Sequence, residues 1–115
     1  GELAFRELEH ALTRELQSFG NMVLSPGGGW VTRPDNVALL CPPSRLVYLK
    51  LRPAAALRRM GSGAAARPLL SRPDPLGELE RLYAARRAVY ESADLVVDVE
   101  GIDVEEVARR IAARL

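Results

Sequence analysis

The 115 residues carry 16 basic and 15 acidic side chains, a net charge of +1, with 48% apolar residues; this suits one domain with a modest core and gives no broad cationic footprint for nucleic acid or an anionic membrane. One cysteine, Cys41, and one histidine, His10, exclude an internal disulfide and a metal site built from Cys or from His alone, and no apolar run reaches the ~18 residues of a membrane span. Without a signal-peptide pattern, the composition is expected of a reducing, cytoplasmic setting. Lys50 is the one lysine and every other basic residue is arginine, a bias that fits a GC-rich genome. The sequence opens without Met on "GELAFRELEHAL", already in a helical pattern, as expected of a cut N-terminus or a piece of a longer chain.

In chain order, Phe5, Leu8, Leu12, Leu16 and Phe19 recur at helical spacing and predict a first helix with one buried apolar face. "FGN" ends it, and "MVL", Met22–Leu24, reads as a short strand. A glycine loop, "SPGGGW", follows, and then about two helical turns in "DNVALL", stopped by Pro42 and Pro43. "RLVYLKL" predicts a buried strand, and "PAAALRRM" a short helix with Pro53 in its first turn. Gly61–Pro75, rich in small residues and proline, predicts a mobile lid. A long helix is expected from about Pro75 to Ala93, a third strand in "DLVVDV", and a last helix capped by Asp103, with Glu106 completing a capping box. Its apolar line is Val104, Val107, Ala108, Ile111 and Leu115. Helices alternating with strands predict an α/β fold, a parallel sheet with flanking helices.

Ligands in such sheets bind beyond the carboxyl ends of the strands, where Gly27, Gly28 and Gly29 fall. Bare backbone N–H groups can close on an anion or a hydroxyl cluster; the three glycines alone fit equally a flexible loop. No Gly-Lys-Ser/Thr occurs in these residues, so this is not a phosphate-cradling P-loop. On the long helix, Arg86 projects near the middle of a cluster formed by Leu79, Leu82, Tyr83, Tyr90 and Ala93, with Arg87 towards its edge. An arginine there needs an anion, an internal salt bridge or a route to water. Arg6 and Glu9 are spaced to meet on the first helix, as a solvated pair or as a carboxylate holding a guanidinium for an anionic ligand. Arg67 is an exposed arginine or a charge on the lid suited to phosphoryl transfer.

In order and spacing, "GELAFRELE", "PGGGW", "VYLKL", "LRRM", "RPLL" and "RRAVYESAD" resemble the shikimate kinases over nearly the whole chain. The resemblance implies the P-loop kinase fold of the nucleoside-monophosphate-kinase type, with its first two strands outside this sequence, and transfer of the γ-phosphoryl of ATP to the 3-hydroxyl of shikimate with Mg²⁺. It implies that Arg6 binds the shikimate carboxylate with Glu9 in support, and that Arg86 is the second clamp. Gly27, Gly28 and Gly29 would face the shikimate ring, Gly28 most directly. Arg67 would reach the ATP phosphates, and Arg59 would pack on adenine. The glycines depart from the family in lying between Pro26 and Trp30, and Trp30 lines the pocket or packs beneath the loop. The loop "VEGID" is acidic where the family often places basic or proline residues near adenine.

The residues that the family places upstream of "GE..FR" include its P-loop, its Mg²⁺ ligand and the aspartate at the reacting hydroxyl. No catalytic residue or metal ligand is therefore assigned within these 115 residues, and the chain by itself is expected to be inactive. The first family strand would lie between "MVL" and "RLVYLKL". The expectation is the C-terminal part of a cytoplasmic kinase, a monomer when intact, taking shikimate and ATP and neither nucleic acid nor membrane. The alternatives are a related small-molecule kinase of the gluconate type and an inactive shikimate-binding module.

Overall fold

The computed structural model describes residues 1–61 and 72–115, in two compact units, Gly1–Leu46 and Val47–Leu115. The first unit holds helix α1 (Glu2–Leu16), a 3₁₀ turn at Trp30–Thr32 and helix α2 (Pro34–Leu40). Pro34 stands at the start of α2, where its missing N–H costs nothing, and the two prolines after Cys41 follow its end. The packed face of α1 is not the apolar one. Phe5, Leu8, Leu12 and Phe19 are 54–70% exposed, whereas His10 and Thr13 are buried. The stripe Arg6, Glu9, His10 and Thr13 lies about 120° round the helix from the leucines. It is this polar stripe that the 3₁₀ turn and α2 engage through specific hydrogen bonds.

The expected strand at Met22–Leu24 is not formed. The segment lacks regular structure, and Val23 is 97% exposed. A strand exists only by sharing its backbone bonds with a neighbour, and none of the described residues pairs with this one.

In the second unit, β1 (Val47–Lys50) leads into α3 (Pro53–Met60), and α4 (Pro75–Glu91) leads into β2 (Leu95–Asp98) and α5 (Val104–Arg114). The strands pair in parallel, Val47 opposite Leu95 and Lys50 opposite Asp98. Two strands stand where three were expected, because Met22–Leu24 does not join them. Alternation puts Leu95, Val97 and Val99 on one face. There they form a core with Val107 and Ile111 of α5, joined by Val47, Leu51 and Ile102. The other face carries Tyr48 and Lys50, which meet Tyr90 and Glu91 of α4. Helices thus cover both faces of a parallel pair.

Caps fix two of the helix starts. Asp74 accepts a bond from the Gly77 N–H at 3.1 Å, and Asp103 one from the Glu106 N–H at 2.8 Å. The expected capping box at α5 is only half made, because the Glu106 carboxylate turns to Arg109 and Arg110 instead. Two guanidinium groups outweigh one backbone N–H as partners. At either end of α5's apolar line, Val104 and Leu115 are exposed. The expected lid falls mostly on residues 62–71, outside the described residues.

Candidate functional site

Arg6 is the organising charge of the first unit. Its Nη1 donates to Glu9 Oε1 at 2.9 Å and its Nε to Glu2 Oε1 at 3.3 Å, with the Phe5 ring 5.3 Å from its Cζ. The side chains of Arg6 and Glu9 are only 25% and 12% exposed. The bond to Glu9, reinforced by Glu2, holds the guanidinium firmly protonated. Five N–H groups are available on a guanidinium, and these bonds leave donors on both terminal nitrogens. The group can therefore still receive an anion.

Of the glycine loop, Gly29 comes closest to that charge. A methyl group built on its α-carbon would lie 2.5 Å from Arg6 Cζ and 2.7 Å from Nη1. The same construction at Gly27 meets nothing within 4 Å. The Gly27 carbonyl accepts the Trp30 N–H, and the Gly29 carbonyl accepts both the N–H and the hydroxyl of Thr32. Gly28 stands between them at the apex of the turn that opens the 3₁₀ segment.

Trp30 packs beneath the loop and does not line an open pocket, being 4% exposed. Its indole N–H donates to Thr13 Oγ1 at 2.9 Å, and that hydroxyl donates to the Glu9 carbonyl at 2.8 Å. The Asn36 amide N–H₂ donates to the Trp30 carbonyl at 3.0 Å, while its oxygen accepts from His10 Nδ1 at 2.7 Å. Asn36, Thr13 and His10 are all buried, and no buried side-chain polar atom among the described residues lacks a partner. Sequence reasoning passed over Thr13 and Asn36. The available signal was polar rather than apolar: residues 6, 9, 10 and 13 fall on one helical stripe.

In the second unit, Arg86 is half-buried on α4. Among the described residues, its Nη1 reaches only the Tyr90 hydroxyl, at 3.4 Å. No ion pair among the described residues involves it, and residues 62–71, "SGAAARPLLS", contain no acid. Arg87 differs in both respects, being 61% exposed and paired with Glu91 at 3.3 Å. The ring of Tyr90 stacks at a tilt on Tyr48, centroids 5.1 Å apart. Burial, with Tyr83 alongside, pushes the Tyr48 hydroxyl up to about 12.

The loop after β2 is gripped from two sides. Arg59 Nη2 donates to the Val99 carbonyl at 2.7 Å and to that of Ile102 at 3.1 Å. Arg52, just after β1, meets the Glu100 carboxylate through two bonds of 2.8 and 2.5 Å. Glu100, the acid that departs from the family pattern, is thus neutralised locally. Arg67 lies outside the described residues. Among the described residues, no group of three or more His, Cys, Asp or Glu could hold a metal ion, and no helix is long and apolar enough to cross a membrane.

The structure therefore brings Arg6, Glu9 and Gly29 together and sets Arg86 and Arg59 in the second unit. The sequence profile described as "Shikimate kinase" matches residues 1–115. A shikimate kinase of Cupriavidus pinatubonensis is 39% identical across all of this chain and 60% of its own length. One from Synechococcus is 33% identical across all of this chain and 58% of its own length. Among solved structures, the shikimate kinase of Acinetobacter baumannii in complex with shikimate matches 99% of this chain and 64% of that one, with a TM-score of 0.88 at 30% identity. The chain thus spans about 60% of the length of these relatives and has their P-loop kinase fold. With a profile match over every residue, it belongs to the shikimate kinase family.

Proposed function

We propose that the full-length protein is a shikimate kinase, moving the γ-phosphoryl group of ATP to the 3-hydroxyl of shikimate in aromatic amino acid biosynthesis, and that this chain supplies its acceptor side. The observation that carries this reading is the Arg6 guanidinium held by Glu9 against Gly29. A fixed fork with free donors is the group that recognises a carboxylate, and a relative of the same fold is solved with shikimate bound. Arg86 serves as the second carboxylate ligand; its half-buried guanidinium without an acidic partner supports that role. Gly27, Gly28 and Gly29 offer backbone to the ring, Gly28 most directly. Arg67 meets the ATP phosphates and Arg59 the adenine.

Phosphoryl transfer depends on positioning and charge neutralisation. Mg²⁺ would supply part of the latter; among the described residues, no group of three or more His, Cys, Asp or Glu could hold a metal ion. The protein acts as a cytoplasmic monomer in this reading. The test is ATP-dependent phosphorylation by the full-length protein with shikimate and with gluconate as acceptors. The proposal requires turnover of shikimate and none of gluconate; turnover confined to gluconate, or none at all, overturns it.

A further inference from the structure

Glycine at position 29 is not explained by the backbone. Its φ and ψ are −88° and −10°, the conformation of the third residue of a type I turn, which accepts most residues. What excludes a side chain is the Arg6 guanidinium, which occupies the place of the missing methyl. The loop itself is pinned by buried bonds at the next residue, Trp30. The Trp30 indole N–H bonds to Thr13, whose hydroxyl returns to the Glu9 carbonyl; Asn36 bridges the Trp30 carbonyl to His10. Glu9 is itself the residue that grips Arg6.

We infer that Gly29 and Trp30 are positioning residues for Arg6: the glycine leaves room for the guanidinium, and the indole–Thr13 bond sets the loop at the height that seats it. The missing side chain of one of the three glycines therefore makes room for an arginine. The inference rests on the shikimate reading for its functional consequence and on the geometry alone for the seating.

A methyl at 29 meets only the movable end of a side chain, so Gly29→Ala should leave the melting temperature within about 2 °C, as for a substitution that adds no backbone strain. It should weaken shikimate binding by about 30-fold, and by no more than the loss of Arg6 itself, since it acts by displacing that charged contact. Trp30→Phe, which keeps the ring and removes the N–H, should weaken it about tenfold. The decisive comparison is a double-mutant cycle in the full-length protein. In an Arg6→Ala background, Gly29→Ala should cost nothing further in shikimate affinity. An undiminished cost there means that Gly29 meets the ligand directly, and a harmless Gly29→Ala means that the seating is irrelevant; either result overturns the inference. The ¹⁵N-detected Arg6 Nε–H resonance of the unliganded protein gives a second readout. It should be sharp and slow to exchange in the wild type and lost in Gly29→Ala. If shikimate does not bind at all, the proposed activity falls while this resonance still decides the seating, and its persistence in Gly29→Ala refutes it.

Discussion

Neighbouring arginines on α4 have opposite environments. Arg87 is exposed and neutralised by Glu91; Arg86 is half-buried and, among the described residues, reaches only a tyrosine hydroxyl. A desolvated guanidinium without an acid gains most from an incoming carboxylate. Arg86→Ala should therefore weaken shikimate binding by roughly 2–5 kcal/mol, the range for truncating one side of a buried charged contact. Arg86→Lys should fail as well, because a point charge cannot replace the planar fork, and Arg87→Ala should be mild. Equal losses at 86 and 87 in a titration calorimeter would refute the assignment. Tyr48 offers a check of the α4–β1 packing. Its hydroxyl is raised to about 12 by burial, above the ordinary ~10 of an unfolded tyrosine. The folded state thus holds a proton that the unfolded state releases, and stability falls as pH rises from about 10 towards 12. Ultraviolet titration should show one tyrosinate appearing late, and Tyr48→Phe should remove that step. A Tyr48→Phe protein with the same late step would place the raised group elsewhere.

At the scale of elements, starts and stops were legible in local chemistry. Pro53 and Pro75 open α3 and α4, and Asp103 caps α5, because these residues act on the backbone beside them. The failures share a cause, which is dependence on a distant partner. Met22–Leu24 has strand composition, but its bonds need a neighbouring strand. The leucines of α1 mark an amphipathic helix correctly, yet the packed stripe is the polar one, and only the fold reveals that Trp30 and Asn36 meet Thr13 and His10. Arg6 with Glu9 was readable from spacing, whereas the contact of Gly29 with Arg6 spans 23 residues and was not. Asp103→Ala should destabilise the protein by about 1 kcal/mol, as loss of an N-cap does. Val107→Ala should cost about 2 kcal/mol, since it opens the core between α5 and β2. Denaturant unfolding that ranks them in the reverse order would contradict the packing described.

For the whole molecule, arginine–carboxylate pairs couple stability to acid. Arg52 holds the Glu100 carboxyl below its usual range, and Arg110 with Arg109 does the same for Glu106. Since the unfolded chain takes up these protons first, their contribution is present above the ordinary carboxylate range and is lost as pH falls through the depressed values. Thermal melts from pH 7 towards pH 3 should show a declining midpoint, and the Arg52→Ala protein should decline less steeply. A steeper decline would mean that the pair has the opposite linkage.

In the proposed function, Arg6, gripped by Glu9 and seated on Gly29, recognises the carboxylate of shikimate on the acceptor side of a kinase. The direct measurement is calorimetric binding of shikimate and of ATP to the full-length protein, wild type against Arg6→Ala. Loss of shikimate binding by at least about 30-fold, the scale of one charged hydrogen-bonded contact, with ATP affinity unchanged, is the predicted result. Retention of shikimate affinity in Arg6→Ala, or a loss confined to ATP, would contradict that role for Arg6.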